Sequence, residues 1–263
     1  MTLTPFGDAV VFAHAHPDDE SISTGGTIAA LLASGARVAV LTGTRGERGE
    51  VVVGEWSALE GTPQLGPHRV GELARALEAL GGPAHAFLGA AEARTAGSPE
   101  RSYSDSGMRW GAAGLAVPAD DAEPDALSRA PLAEVTDDLL AGIRTLLGTP
   151  TAIVGYDAIG GYGHPDHVRM HEAGLAAAHA LGVPYFAIVE PRVEARVEPR
   201  VDPDSSEIEV DLAHHGAIAA KAAAMAGHAT QLTLDGARAA PDFILSGGQR
   251  HPVGLVERFR RLT

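Results

Sequence analysis

Apolar positions recur along the chain in two alternating rhythms. "AVVFAHA" (9–15) is a short apolar run rich in β-branched residues, and "STGGTIAALLASGA" (23–36) places Ile28, Leu31 and Leu32 at helical spacing before a glycine stop at Gly35. The first predicts a buried strand, the second a helix. The order then repeats. "RVAVLTGT" (37–44) reads as a strand, "PHRVGELARALEALGG" (67–82) as an amphipathic helix with Pro67 near its start and glycines at its end, and "AHAFLG" (84–89) as a third strand. Further along, "LAEVTDDLLAGIRTLLG" (132–148) and "DHVRMHEAGLAAAHALG" (166–182) predict helices, with "TAIVGYD" (151–157) and "PYFAIVEP" (184–191) as strands. This alternation predicts an α/β fold: a Rossmann-like, mostly parallel sheet with helices on both faces, in one domain over 1–263.

Three stretches break the rhythm. Residues 90–131 are rich in Gly, Ala, Pro, Ser and acids with no sustained period, too long for an idle connection, and predict a lid or pocket insert. "VEPRVEARVEPRVDPD" (189–204) is a four-residue quasi-repeat whose prolines forbid a central strand. An edge segment over 189–210 with a solvated, charged face is expected there. "RHPVGLVERFRR" (250–261) is expected as a surface helix rather than a basic docking patch, because the rest of the chain is acidic.

Composition narrows the function. The formal net charge of −14 over 263 residues argues against nucleic acid or an anionic membrane as a partner, since both require a positive footprint. With no cysteine, disulfides, Fe–S clusters and thiolate zinc sites are excluded, and any transition metal must be held by His and carboxylates. The opening "MTLTPFGDAVVFAHAH" lacks a basic segment and a long apolar run, so a cytoplasmic protein is expected. The sequence specifies no oligomeric state.

The chemistry concentrates in two places. "HAHPDDES" (14–21) sets three consecutive carboxylates behind the first strand, where crowded like charges are costly unless a cation or hydrogen bonds compensate. "GGYGHPDH" (160–167) follows the 151–157 strand. Ligands in open α/β sheets bind outside the carboxyl ends of the strands, so these two remote segments are predicted to converge. A hydrolytic zinc site takes three protein ligands and leaves one position open, which His16, Asp19 and His167 can supply. Asp18, directed away from its neighbour, can then act as general base. A His₂Asp set accepts Fe(II) as well as Zn(II).

Plainer readings compete. Asp18 and Asp19 can simply cap a helix, and the glycines at 160, 161 and 163 can simply make a turn. His167 and His171 stand four apart, but no Glu follows His167, so a zincin motif fails and His171 is read as structural. His14 is expected to face away from His16, in the core or behind a ligand, and Glu20 to orient a ligand or pair locally. His228, in "GHATQ", is open between helix capping and the pocket rim. His68, His85, His179, His214, His215 and His251 are read as ordinary histidines.

The pairing of "AHPDDE" with "GGYGHPDH" resembles the LmbE-like, or PIG-L, superfamily of zinc-dependent de-N-acetylases. "GERGEV" (46–51), "HRVGEL" (68–73), "SDSGM" (104–108) and "AGHATQ" (226–231) are similar to its mycothiol-pathway branch, which deacetylates N-acetylglucosaminyl-inositol. The resemblance implies His16, Asp19 and His167 as zinc ligands and Asp18 as the base that later protonates the leaving amine. It implies His164 and Tyr162 as groups steadying the oxyanion, with Asp166 tuning His164. Arg69, Asp105, Glu47 and His228 are implied as contacts to the sugar conjugate. The implied activity is removal of acetyl from a small N-acetylated sugar conjugate. An amidase on another thiol-pathway or antibiotic sugar is the alternative; there the resemblance implies a Lys where this chain has Ser23. A binding protein without turnover is a third reading, against which Asp18, His164 and Tyr162 argue.

Overall fold

The first strand shows why the sheet is buried on both faces. In β1 (Ala9–His14), Val10 and Phe12 enter one hydrophobic cluster while Val11 and Ala13 enter another, as the two-residue alternation of a strand requires. The computed structural model of the protein describes residues 3–111, 114–189, 207–236 and 240–263. After β1 come α1 (Asp19–Ser23), α2 (Gly25–Ala33), β2 (Arg37–Thr42), α3 (Leu65–Ala79), β3 (Ala84–Phe87), β4 (Met108–Trp110), β5 (Ala116–Pro118) and α4 (Leu132–Leu146). They are followed by β6 (Ala152–Gly155), α5 (Pro165–Leu181), β7 (Tyr185–Ile188), β8 (Glu207–Asp211), α6 (Ile218–Gly227), β9 (Leu232–Asp235), β10 (Asp242–Leu245), β11 (Arg250–Pro252) and β12 (Val256–Arg261).

The main sheet runs β3-β2-β1-β6-β7-β12-β8. Its first five strands are parallel, and β12 is antiparallel to both β7 and β8. Leu139 and Ile143 of α4 with Met170, Ala173 and Ala177 of α5 cover one face. Ile28 and Leu31 of α2, Leu73 and Leu77 of α3 and Ala224 of α6 cover the other. The chain departs from β1 toward β2 and β3, then restarts beyond β1 at β6. The strand order therefore reverses between β1 and β6, and a crevice opens at their carboxyl ends. A small sheet, β11-β10-β9, sits over Met225, Leu232, Phe243 and Val253. Among the described residues no helix is long and apolar enough to cross a membrane.

One departure from the sequence reading is instructive. The 250–261 segment is strand, not surface helix, and β12 lies inside the sheet. Its inward residues are Glu257 and Phe259, both buried. Glu257 is held there by Lys221 Nζ at 2.7 Å and by the N–H groups of Gly26 and Thr27 at the start of α2. An inward carboxylate hides the apolar alternation that marks a strand. The 90–131 stretch carries the β4–β5 hairpin and is fastened at both flanks. Thr95 and Tyr103 donate to the buried carboxylate of Asp138, and Leu127 enters the core. Of the edge segment expected over 189–210, residues 190–206 lie outside the described residues, and the remainder enters β8 at the edge of the sheet.

Candidate active site

β1 ends at His14, and the loop behind it delivers His16, Asp18 and Asp19 to the crevice, with Asp19 opening α1. From the neighbouring β6, the 160–164 turn leads into α5, which His164 caps and His167 enters in its first turn. His16, His164 and His167 are buried, and each offers a ring nitrogen within 4.8 Å of the others. Asp19 Oδ2 lies 3.4 Å from His16 Nδ1 and 3.4 Å from His167 Nε2. Two donors on one tetrahedral ion, each about 2.1 Å from it, are separated by about 3.4 Å. His167 Nε2 is moreover buried without a hydrogen-bond partner, which is costly for a ring nitrogen unless an ion takes its lone pair. The residues present fit a divalent cation.

The remaining nitrogens separate ligands from donors. His16 Nε2 donates to Asp166 Oδ2 at 3.2 Å, leaving Nδ1 toward Asp19, the arrangement in which a carboxylate orients a metal-binding imidazole. His164 Nδ1 accepts the Asp166 N–H at 3.2 Å, so the neutral ring carries its proton on Nε2. Burial and the neighbouring His16 and His167 hold the His164 pKa well below 6.5. Asp166 was expected to tune His164. Its charge does pull the His164 pKa upward against burial, while the carboxylate itself faces His16 and is held by Ser106 and Ser128 and the backbone N–H meets the His164 ring. Burial disfavours charge on His16 and Asp19 alike. Nearby carboxylates outweigh it at His16 and raise that pKa, while His167 and His16 outweigh it at Asp19 and lower that one.

Asp18 has a different set of contacts from its neighbour Asp19. It has φ 117°, its N–H donates to Glu20 Oε2 at 3.0 Å, and its Oδ2 lies 3.3 Å from Arg69 Nη2. Burial lifts its pKa to about 6 against the opposing pull of Arg69, with Asp19 adding to the rise. Arg69, expected at the sugar, is buried, and its guanidinium donates to the carbonyls of Gly46 and Pro17. His228 follows α6 as its cap but is also buried, not at a rim. Its Nε2 lies 2.8 Å from Glu20 Oε1. Asp105 lies 3.7 Å from His16 Nε2. Its N–H donates to Glu47 Oε1 at 2.9 Å, while Glu47 Oε2 is buried without a partner. Tyr162 is at the mouth, half-exposed, its ring 5.2 Å from that of His167.

His14 does lie away from the cluster, bonded to Thr24 at 2.9 Å. The reason is not alternation, since residues two apart share a strand face; β1 ends at His14 and the backbone turns before His16. His171 donates to the Tyr156 carbonyl at 2.8 Å, a structural role. Tyr156 is a site residue the sequence reading missed. Its hydroxyl donates to Asp19 Oδ2 at 2.6 Å and accepts the Ala15 N–H at 2.8 Å, and its ring stacks on His167 at 4.1 Å. The signal available was its place at the carboxyl end of the 151–157 strand.

A family model described as GlcNAc-PI de-N-acetylase, PIG-L, matches residues 11–178. A 1D-myo-inositol 2-acetamido-2-deoxy-alpha-D-glucopyranoside deacetylase of Kineococcus radiotolerans is 39% identical, over 95% of this chain and 76% of that protein. One of the same description from Nocardioides sp. is 36% identical, over 97% of this chain and 92% of its own. Among solved structures, the zinc-inhibited form of a teicoplanin deacetylase superposes with a TM-score of 0.59 at 20% identity, covering 96% of this chain and 97% of that one. An A40926 pseudoaglycone deacetylase gives 0.57 at 21% identity, covering 84% and 81%. At these identities the solved structures show a shared fold.

Proposed function

The chain belongs to the GlcNAc-PI de-N-acetylase family, PIG-L, and from that premise we propose that it is a metal-dependent hydrolase removing acetyl from N-acetylglucosaminyl-inositol. The observation that carries the reading is Asp18. Its carboxylate is held by Arg69 at 3.3 Å, separately from Asp19, which lies 3.4 Å from both His16 Nδ1 and the otherwise unpartnered His167 Nε2, so one carboxylate of the motif is left free of the His/Asp cluster. A carboxylate placed there can take a proton from water and return it to a leaving group.

His16, Asp19 and His167 are assigned to hold the ion, with Zn(II) preferred and Fe(II) accepted by the same donors. When bound, the ion supplies Lewis acidity toward the acetyl carbonyl and lowers the pKa of water. Asp18 removes a proton from the attacking water and delivers it to the departing sugar nitrogen. His164, neutral and protonated on Nε2, donates to the oxygen on which negative charge develops, and the Tyr162 hydroxyl is assigned beside it. Glu47 and Asp105 are assigned to substrate hydroxyls, with the 90–131 segment as a pocket wall. Arg69 and His228 are assigned to hold Asp18 and Glu20, whose carboxylates they contact.

Zinc-loaded protein incubated with N-acetylglucosaminyl-inositol is expected to release primary amine, and Asp18→Asn to slow that release by at least about a hundredfold. No amine from the wild type, or equal amine from both, would overturn the reading.

A further inference from the structure

Trp110 has no part in the reaction as described and is 58% exposed. The large apolar side chains exposed among the described residues include two aromatics, Trp110 and Tyr162, and these two are neighbours. Their ring centroids lie 6.0 Å apart, tilted by 43°. Tyr162 is in turn 5.2 Å from the His167 ring and 6.0 Å from that of His164. The aromatic rings thus lead outward from the ion-binding cluster, with Trp110 one ring beyond Tyr162.

The backbone builds this adjacency. Trp110 on β4 is registered opposite Ala116 on β5, and the Ala116 N–H donates to the Tyr162 carbonyl at 2.8 Å. Gly163, at φ 98°, is where the hairpin seats on the turn: a Cβ there would fall 2.8 Å from the Ala116 oxygen, closer than real side chains approach. The hairpin is therefore clipped to the turn that carries Tyr162 and His164, at a point only glycine fills without displacement.

We propose that Trp110 is a specificity-determining platform: its indole stacks on the ring joined to the acetamido sugar, a cyclitol or second sugar, and so selects the conjugate over the free aminosugar. The C–H face of such a ring carries the partial positive charge that an aromatic face attracts, and the indole stays dry beneath it. The proposal rests on the deacetylase reading above, and deepens it by naming what reads the substrate's second ring.

Binding separates the two claims. In a Trp56→Phe background, where Trp110 is the remaining tryptophan, titration with glucosaminyl-inositol is expected to shift the indole emission. Free glucosamine is expected to shift it far less. Followed calorimetrically, Trp110→Ala is expected to weaken the conjugate roughly tenfold and leave glucosamine unchanged, with Trp110→Phe restoring most of the loss. Unchanged conjugate affinity in Trp110→Ala, or equal weakening of both ligands, overturns the platform, as does failure of the conjugate to bind the wild type. Amine release from the acetylated conjugate is measured alongside. A wild type that binds the conjugate in this Trp110-dependent way but releases no amine sinks the reaction and leaves the platform standing.

Discussion

Glu20 accepts the backbone N–H of Asp18 at 3.0 Å, so the third acid of the motif holds the backbone of the first. Asp18 needs holding. Its φ of 117° makes it the one non-glycine residue with positive φ among those described, a conformation costing about 1–3 kcal/mol. Arg69 grips the same corner from the other side, through the Pro17 carbonyl and the Asp18 carboxylate. Glu20 is itself fixed by His228 and Ser21. With His228 as the first favourable influence against burial, the Glu20 pKa is pulled down to about 2, so it accepts as a full carboxylate.

Replacing Glu20 by Ala is expected to lower kcat on the order of ten- to a hundredfold while leaving bound metal unchanged, because the corner relaxes but His16, Asp19 and His167 stay in place. Glu20→Gln, which retains an acceptor oxygen, is expected to recover part of the loss. Steady-state kinetics beside elemental metal content decide it. An unimpaired kcat in the alanine variant would remove Glu20 from the role.

Asp18→Asn is expected to lower kcat on the order of a hundred- to ten-thousandfold, as loss of a general base does, at undiminished metal content. The pH profile carries a sign. Asp18 must be ionised to take a proton, so wild-type kcat/KM rises with pH through its pKa. Burial places that pKa at about 6, and a cation beside Asp19 favours the ionised form and moves it lower. An acidic limb at or below about pH 6 is expected in the wild type. Its survival unchanged in the residual activity of Asp18→Asn would assign the limb to another group.

Tyr156→Phe separates ion binding from the reaction. The substitution keeps the ring stacked 4.1 Å from His167 but removes the hydroxyl that bridges the Ala15 N–H to Asp19 Oδ2. Loss of a partner behind a metal ligand is expected to weaken zinc affinity about 10- to 100-fold. Chelator competition measures it, and native-like circular dichroism establishes that the fold persists. Wild-type affinity would show that Asp19 is positioned without the hydroxyl.

Which features the sequence made legible follows from where their partners lie. The strands and helices at 9–15, 37–44 and 166–182 were readable because their apolar periods are local, and the two motifs because each is contiguous. Tyr156, Ser106 and Ser128 were not, since each acts on a carboxylate from another segment, Asp19 or Asp166. Arg69 illustrates the converse. Its motif was visible, but whether a guanidinium meets a sugar or its own backbone is set by burial, and the carbonyls it meets belong to residues 17 and 46. β12 was misread because its inward carboxylate is satisfied by Lys221, 36 residues earlier.

Glu257 joins three elements: it stands on β12, accepts Lys221 of α6 at 2.7 Å, and caps the Gly26 and Thr27 N–H groups of α2 at 3.0 and 2.7 Å. α2 follows α1, which begins with Asp19, so the capping contact anchors the scaffold on which the ion-binding loop rests. Lys221 and Glu257 are each nearly inaccessible, and a buried pair broken on one side leaves an uncompensated charge costing about 3–5 kcal/mol. Lys221→Met is expected to lower stability by about that amount, seen as an earlier urea midpoint. Adding Glu257→Gln removes the stranded charge, and the amide oxygen still accepts from one N–H of α2. The double variant is therefore expected to recover most of the loss, giving a coupling energy of at least about 2 kcal/mol between the sites. Additive losses in the two single variants would mean that the pair is no unit, and that β12 is held in the sheet by Phe259 and its strand partners alone.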